Sequence, residues 1–311
     1  MKYEVKMQEI RTKIEENRKT LQNLLKNKDN QKTLEAWLKT ELAYTSNGIE
    51  GNTLTRRETE LAIDEKVTSG SKPIKDYMEA INHAKAFEYV LEAGKNKTKI
   101  DEDFVLRLHK IILTGIDDTN AGFYRSVRVR ISASQTVLPN PLKVPDLMKD
   151  FGKWLVQKTD DALLKALDAH YRLVTIHPFI DGNGRTARLL MNAILLENGY
   201  APMIIRSIDK HRYLQALETY QTRGDSDAYY KFMLTALNRS LKMAIDLLDL
   251  NAKEPTKDML TIAKFAKRCD VPVSSIRYWM QEGKIKPATF TKSGYALFEK
   301  AQAKDVKKLA K

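Results

Sequence analysis

The sequence predicts a mainly α-helical protein with one β-hairpin and a small C-terminal unit joined by a linker. Apolar residues recur three and four positions apart along most of the 311 residues, which is helical spacing. One segment, residues 126–133, instead alternates polar and apolar residues, as a half-buried strand does. Residues 253–256, Lys-Glu-Pro-Thr, have the composition of a linker, and a basic segment follows them.

The composition excludes several classes of protein. With 42% hydrophobic and 30% charged residues, the chain is typical of soluble globular proteins, and no apolar run approaches the roughly 20 residues of a membrane span. The first ten residues lack the apolar core of a signal peptide. The single cysteine, Cys269, cannot form an internal disulfide, and no Cys/His cluster suggests zinc. We expect a cytoplasmic protein without a membrane span or a structural metal.

The N-terminal hundred residues read as a series of helices. Residues 2–28 carry apolar residues on one helical face, and Asp29-Asn30 breaks the pattern. A second helix starts near Thr33 and runs into residues 45–52, T-S-N-G-I-E-G-N. Ser46 and Glu50 are four positions apart and therefore share a face of this helix, which Gly51-Asn52 is expected to end.

The central part continues the helical pattern and contains the hairpin. Helices are predicted within residues 55–115 and from Asp161 to Ile176. Between them, residues 126–133 predict a strand that turns back through residues 134–138 before Pro139 ends the pairing. His83 and His109 lie in apolar-faced helices and are expected to be packed or surface histidines without a functional role.

Residues 177–188 carry the chemistry and read H-P-F-I-D-G-N-G-R-T-A-R. The apolar run that follows, ending at Asn198-Gly199, predicts a buried helix, so a glycine-rich turn opens it. Free amides and the positive end of the helix dipole make such a turn an anion site. Arg185 and Arg188, three positions apart, can meet one polyphosphate. Asp181 can hold Mg²⁺ beside phosphate, and His177 can accept a proton.

These twelve residues resemble the complete signature of the Fic family, H-P-F-x-(D/E)-G-N-G-R-x-x-R. The resemblance implies a Fic/Fido helical core with a β-hairpin flap that holds a target segment over the active site. It also implies transfer of AMP from ATP, with Mg²⁺, to a Ser, Thr or Tyr hydroxyl of a target protein. The roles it implies are His177 as general base, Asp181 as Mg²⁺ ligand, Gly182, Asn183 and Gly184 as α-phosphate ligands through their amides and the Asn183 side chain, Arg185 at the β-phosphate, Arg188 at the γ-phosphate and, with Leu217, Tyr213 at the adenine.

The segment around Glu50 resembles the inhibitory motif of the same family, (S/T)-x-x-x-E-(G/N). Ser46, Glu50 and Gly51 occupy its specified positions, and their place before the signature is similar to the subclass with an N-terminal inhibitory helix. In that subclass the glutamate pairs with the second signature arginine, here Arg188. A charge-assisted bond of about 1.5–3 kcal/mol would keep the arginine from the γ-phosphate.

The C-terminal segment resembles a MerR-like winged helix-turn-helix. Residues 251–311 contain 14 Lys and Arg against 6 Asp and Glu, within a chain of net charge +13, which favours an acidic partner such as DNA. The first helix is expected at about residues 261–268. A recognition helix is expected from Val273 and would carry Ser274, Ser275, Arg277 and Tyr278. In the wing, Ala296 stands where the family usually has arginine. Paired DNA half-sites would call for a homodimer.

The sequence therefore predicts a helical region with the inhibitory helix at residues 1–100, the Fic core at 101–250 and the winged helix-turn-helix at 256–311. Two alternatives to an autoinhibited adenylyltransferase stay open. One is a hydrolase in which Glu50 positions water to remove AMP from a modified target. The other is a DNA-binding regulator in which the Fic core acts as a sensor.

Overall fold

The structure is a computed structural model that describes residues 2–65, 68, 72–131, 134–252, 259–282, 284–290, 296–304 and 306. Its described part is mainly helical, as predicted. The helices are α1 (Lys2–Leu24), α2 (Lys28–Glu50), α3 (Arg56–Asp64), α4 (Ile74–Asn96), α5 (Glu102–Leu113), α6 (Val144–Leu155), α7 (Ala162–Ile176), α8 (Asn183–Glu197), α9 (Lys210–Arg223), α10 (Asp227–Ala252), α11 (Ile262–Cys269) and α12 (Val273–Gln281). Short 3₁₀ turns cover Pro141–Lys143, Ser207–Asp209 and Lys300–Gln302.

The break between the first two helices lies earlier than predicted. Asn27 caps α2, and its side chain accepts a hydrogen bond from the Asp29 amide at 2.8 Å. Asp29 and Asn30 therefore belong to the first turn of α2, where an acidic residue favours the helix dipole. The predicted break between two helices is present, but the residue that caps α2 is Asn27 and not a residue at Asp29-Asn30.

The other end of α2 is placed as the sequence predicts. Gly51 adopts a left-handed conformation with φ of 102° and ends the helix directly after Glu50. Its amide donates to the carbonyls of Asn47 and Gly48, which closes the last turn. Glu50 is thereby fixed at the tip of α2.

A single hydrophobic core joins α1, α2 and the helices from α4 to α10, whereas Ala62 of α3 belongs to a separate small cluster. The single core includes Ile14 of α1, Phe87 of α4, Leu190 of α8 and Leu237 of α10, all essentially inaccessible to solvent. Helix α8 is buried along most of its length and packs closely against α7. Residues 1–100 and 101–250, which the sequence analysis treats as two regions, therefore share one core.

The segment at residues 123–140, called the flap segment below, is extended, but none of its described residues is paired in a sheet. The amide of Ser134 donates to the Ile131 carbonyl at 3.2 Å. Side chains of α9 bond to the segment instead of a partner strand. Glu218 accepts from the Ser134 hydroxyl at 3.0 Å and Gln221 accepts from the Thr136 hydroxyl at 3.0 Å. Residues 132–133 of the predicted strand lie outside the described residues.

The C-terminal unit contains a small antiparallel sheet and two helices. The strands β1 (Met259–Thr261), β2 (Thr289–Phe290) and β3 (Ala296–Glu299) pair in the order β1-β3-β2. Leu260 stands opposite Phe298, whose ring stacks on Phe265 of α11 at 4.4 Å. Helix α12 begins at Val273, as predicted for the recognition helix. The predicted linker, residues 253–256, and residues 293–295 of the wing lie outside the described residues.

A search of the described residues for a helix with both the length and the apolar character of a membrane span found none.

Candidate active site

The twelve-residue signature forms the turn between α7 and α8, and its shape follows from two left-handed residues. His177 caps the C-terminus of α7 with φ of 50°, and Gly182 stands directly before α8 with φ of 78°. A left-handed conformation is costly for a residue with a side chain, so the fold must hold His177 in place. The turn directs the N-terminus of α8 and the His177 side chain into the same region.

Asn183 closes this turn from within. Its side-chain oxygen accepts from the Phe179 amide at 3.0 Å, and its side-chain nitrogen donates to the Phe179 carbonyl at 2.9 Å. Both polar ends of the side chain are thus occupied by backbone. The structure gives the Asn183 side chain a role in shaping the turn, which differs from the predicted contact with phosphate.

His109 of α5 contacts the same turn through its ring face and through one of its ring nitrogens. Its ring stacks on Phe179 with centroids 3.6 Å apart. Nδ1 accepts from the Gly122 amide at 3.0 Å, so Nε2 carries the proton and donates to the Asp181 carbonyl at 3.0 Å. Burial lowers the pKa of His109 to about 4, which keeps this ring neutral. His109 therefore connects α5, Gly122 directly before the flap segment, and the turn between α7 and α8.

The imidazole of His177 is set up as a proton acceptor. Nδ1 lies 3.2 Å from the Val174 carbonyl, and because a carbonyl only accepts, this contact places the proton on Nδ1. Nε2 is then the basic nitrogen. Burial lowers the pKa of His177 and Arg125 lowers it further, while Glu50 and Asp181 oppose them. The ring is neutral, as a general base must be.

Asp181 has one occupied and one outward carboxylate oxygen. Oδ1 accepts from the Gly182 amide at 2.6 Å and from Arg185 Nη2 at 3.2 Å. Oδ2 lies 4.0 Å from Lys75 Nζ, and the side chain is half exposed. Burial alone would raise the pKa of Asp181, but Arg185, the Gly182 amide and Lys75 outweigh it, so the pKa is lowered and the group is ionised.

Arg185 is buried between two carboxylates. Nη1 lies 3.0 Å from Glu79 Oε1 of α4, and Nη2 contacts Asp181. Glu79 is itself buried and accepts from the Asn52 side chain at 2.9 Å. The Arg185 Nε is buried and has no hydrogen-bond partner within the described part of the chain. Glu79 is therefore the main fixed counter-ion of the first signature arginine.

Arg188 is held by the last turn of α2. Nη2 lies 2.6 Å from Glu50 Oε1, Nε donates to the Ser46 hydroxyl at 2.8 Å, and Nη2 also donates to the Ser46 carbonyl at 3.0 Å. Burial alone would lower the pKa of Arg188, but Glu50 raises it, so the guanidinium stays charged. Arg188 thus contacts both Ser46 and Glu50, which lie 142 and 138 positions before it in sequence.

The Glu50 carboxylate also lies at the beginning of α8. A Cβ atom on Gly184 would collide with Glu50 Oε1 and would lie 2.9 Å from Arg188 Nη1. Glycine at this position therefore leaves room for a carboxylate against the first turn of the helix. The Glu50 carboxylate therefore lies beside the first turn of α8, near the positive end of the helix dipole.

Tyr213 is buried next to Arg188, where the adenine of a nucleotide cannot contact it. The ring is 1% exposed, and its hydroxyl lies 2.8 Å from His170 Nε2. The Tyr229 hydroxyl donates its proton to the Leu167 carbonyl, so its oxygen accepts from His170 Nδ1. His170 Nε2 therefore carries no proton and accepts from the Tyr213 hydroxyl. The Tyr213 oxygen is left to accept from Arg188. Tyr213 therefore supports Arg188 from the core and does not line an adenine pocket, which differs from the prediction.

The structure thus collects His177, Asp181, Gly182, Asn183, Gly184, Arg185, Arg188, Ser46 and Glu50 around one turn. Sequence reasoning missed Glu79 and His109. Glu79 was detectable in principle, because a carboxylate stands among Tyr77, Ala80 and Ala84 on the buried face of α4. Nothing in the sequence pattern marked His109, whose partners are backbone atoms of distant segments.

Comparison with known families gives two matches. Residues 99–195 match the model of the Fic/DOC family, and residues 261–298 match that of the MerR family regulatory proteins. The first match contains the whole turn described above.

Two proteins with similar sequences share the same name. A protein adenylyltransferase Fic of Nematostella vectensis is 37% identical over 203 residues, which are 64% of this chain and 47% of the relative. The protein of the same name from Drosophila grimshawi is 34% identical over the same length, which is 41% of that relative. The chain spans less than half the length of these curated relatives.

Two solved structures share the fold. A segment of Fic-1 from C. elegans superposes with a TM-score of 0.70 at 26% identity, covering 78% of this chain and 73% of the other. A Fic domain containing signaling protein from Bacteroides thetaiotaomicron superposes with a TM-score of 0.66 at 29% identity, covering 76% of this chain and 97% of the other.

Proposed function

We propose that this Fic-domain chain is a protein adenylyltransferase that moves AMP from ATP to a hydroxyl side chain of a target protein and is inhibited by Glu50. The observation that carries the proposal is the ion pair between Glu50 and Arg188 at the N-terminus of α8. A carboxylate there occupies a site whose amides and arginine suit a phosphate. The names of the related proteins support the same activity.

In the proposed reaction the target hydroxyl attacks the α-phosphorus of ATP. A bond forms between the hydroxyl oxygen and this phosphorus, and the bond from the phosphorus to the bridging oxygen breaks, so pyrophosphate leaves. The hydroxyl proton passes to Nε2 of His177. Such general-base assistance contributes about 10²–10⁴-fold to the rate. The amides of Asn183 and Gly184 stabilise negative charge on the α-phosphate.

The two arginines and Asp181 organise the departing end of the nucleotide. Arg188 binds the γ-phosphate once Glu50 leaves it, and Arg185 adds positive charge toward the β-phosphate. Asp181, half exposed beside the turn, would be the carboxylate that holds Mg²⁺. One carboxylate with an outward oxygen suits Mg²⁺, which completes its shell with phosphate oxygens and waters. When bound, Mg²⁺ would neutralise charge on the leaving pyrophosphate.

Replacement of Glu50 tests the proposal. Glu50→Gly removes the carboxylate that competes with phosphate for Arg188, a contact of about 1.5–3 kcal/mol, and should raise transfer about 10- to 100-fold. The measurement is incorporation of label from α-labelled ATP into protein, including the chain itself. Adding His177→Ala to Glu50→Gly should return the signal to background.

A matched control separates inhibition from loosening of the helix. Glu35→Gly places glycine in the interior of α2, far from Arg188, and should destabilise the helix by about 1 kcal/mol without raising transfer. If Glu50→Gly binds ATP yet transfers no more label than the unaltered chain, Glu50 is not inhibitory. Release of AMP from AMP-modified protein by the unaltered chain would instead favour the hydrolase in which Glu50 positions water.

The C-terminal unit favours a second, separate function, binding of DNA. Arg277 and Tyr278 are exposed on α12, and Lys284 lies over the Tyr278 ring at 5.6 Å. An exposed helix that carries an arginine and follows a short turn suits the major groove. In a gel-shift assay the full chain should retard duplex DNA, more weakly as salt rises, and Arg277→Ala should weaken the shift. Retardation unaffected by Arg277→Ala would exclude α12 as the contact.

A further inference from the structure

Arg125 is a buried cation whose three guanidinium nitrogens all donate to backbone carbonyls. The side chain is 3% exposed. Nε donates to the His177 carbonyl at 2.8 Å, Nη1 to the Val127 carbonyl at 3.1 Å and Nη2 to the Pro139 carbonyl at 2.7 Å. Its own amide donates to the Pro178 carbonyl at 2.9 Å. One residue is therefore bonded to the catalytic turn and to both arms of the flap segment.

The charge of Arg125 is not neutralised by an ion pair in the described part of the chain. Carbonyl oxygens satisfy its donors, but they carry only partial charge, so a desolvated cation remains beneath His177. Such an arrangement is costly compared with a neutral side chain of similar size. A residue needed only to fill this space could be neutral. The positive charge and the branched guanidinium group of Arg125 therefore each have a role at the site.

The bond to His177 acts on the strained part of the catalytic turn. His177 has a left-handed backbone, and its peptide orientation determines where the imidazole points. Arg125 holds the carbonyl of that peptide, while Val174 holds Nδ1 of the ring. Because the same guanidinium also holds both arms of the flap segment, displacement of either arm changes the support of the catalytic histidine.

We infer that Arg125 is a positioning residue that couples the seating of a target segment along the flap segment to the orientation of His177. The inference rests on the proposed function, because it assigns His177 the role of base and the flap segment that of target contact. A groove of about 580 Å³, lined in part by Arg125, Val137 and Pro139, lies along the flap segment. A target segment bound there would lie against the arms that Arg125 joins.

Two substitutions of Arg125 separate the effect of its charge on His177 from the effect of its branched guanidinium group. The imidazole is faced by the Val174 carbonyl from α7, by Arg125, by Glu50 from α2 and by Asp181 from the turn. Arg125 lowers the pKa of His177, whereas the two carboxylates raise it. Arg125→Lys keeps the positive charge but carries its donors on one nitrogen instead of three, and Arg125→Gln removes the charge.

The test uses the full chain with Glu50→Gly as parent. Both Arg125 variants should lower transfer of AMP to protein about 10- to 100-fold, because the base is misplaced, while ATP binding stays within about twofold of the parent. Arg125→Gln should also move the acid limb of the rate profile to higher pH, whereas Arg125→Lys should leave it in place. Arg107→Gln, an exposed arginine of α5 that does not line the groove along the flap segment, is the control and should retain the transfer rate of the parent.

A second readout is independent of transfer. The pKa of His177, measured by NMR titration and assigned with His177→Ala, should rise in Arg125→Gln and stay unchanged in Arg125→Lys. A folded Arg125→Lys with the parent's transfer rate would overturn the positioning role, even if Arg125→Gln failed to fold. Absence of transfer by the parent would refute the proposed function instead, and the His177 titration would still decide whether Arg125 acts on that residue.

Discussion

At the scale of single residues, Arg188 is the residue on which the proposed inhibition and the proposed phosphate binding both depend. Glu50 neutralises one edge of its guanidinium, Ser46 fixes Nε, and Tyr213 approaches from the core. Only the Glu50 contact must break for a phosphate to enter. The Ser46 and Tyr213 contacts leave the arginine in place, so release of Glu50 exposes a cation that is already oriented.

Tyr213→Phe tests this support. The change leaves His170 Nε2 buried without its donor and Arg188 without a neutral acceptor, which should cost about 1–3 kcal/mol of stability. In the Glu50→Gly background the KM for ATP should rise several-fold while the protein stays folded. Tyr89→Phe, a half-exposed ring on α4, serves as control for loss of a hydroxyl. An unchanged KM, with stability equal to the control, would remove Tyr213 from the support of Arg188.

The residues that the sequence predicted are those whose chemistry is encoded locally. His177 through Arg188 lie within one turn and one helix start, so spacing alone brings them together. Glu79, His109 and Arg125 act across 50 or more positions, and two of them bond to backbone atoms that carry no residue identity. Composition and periodicity contain no signal for such contacts.

At the scale of elements, the end of α2 decides where Glu50 points. Gly51 terminates the helix in a left-handed conformation, and a Cβ there would meet nothing within 4 Å. The cost of any other residue at this position is therefore one of backbone strain alone. Gly48, one turn earlier, packs against Ser207, whose Cβ would lie 3.3 Å from an added Cβ.

A matched pair of glycine substitutions tests the role of this cap. Gly51→Ala forces a left-handed alanine and should destabilise the chain by roughly 1–2 kcal/mol, and it should raise self-labelling because Glu50 is less firmly placed. Gly94→Ala, in the interior of α4 and also without neighbours within 4 Å, should stabilise it by about 0.5–1 kcal/mol. Denaturant unfolding measures both, and shifts of the same sign would contradict the cap.

Helix existence was predictable because the apolar period is strong in this chain, and α7 and α12 begin within a residue of the expected positions. The start of α2 was misplaced because the capping side chain, Asn27, lies outside the apolar pattern. The flap segment shows the limit of the period-2 signal. Alternation predicts extended backbone, but pairing depends on a partner, and here Glu218 and Gln221 of α9 supply the hydrogen bonds.

At the scale of the whole molecule, α4, α5 and α7 bury three neutral histidines, His83, His109 and His170. Burial is the main cause that lowers the pKa of His83 and of His170 to about 3 and that of His109 to about 4. In the unfolded chain these groups return to a pKa near 6.5. The unfolded chain therefore binds more protons than the folded chain at any pH between these values.

Stability should consequently fall as the pH decreases below about 6.5. Each of the three histidines contributes about 1.4 kcal/mol per pH unit in this range, until its folded-state pKa is reached. Urea unfolding between about pH 7.5 and about pH 5 measures the slope. Repetition at high potassium chloride is the control, because salt screens repulsion arising from the net charge of +13 but not the histidine contribution. A flat profile at high salt would contradict burial of neutral histidines.

The most direct measurement of the central claim compares two labels on the same nucleotide. Glu50→Gly protein is incubated with Mg²⁺ and a target extract in the presence of ATP labelled either at the α- or at the γ-phosphate. The account predicts that protein gains the α label and not the γ label, and that Arg188→Ala lowers the gain. Protein that gains the γ label, or no label while ATP remains bound, would contradict transfer of AMP from this turn.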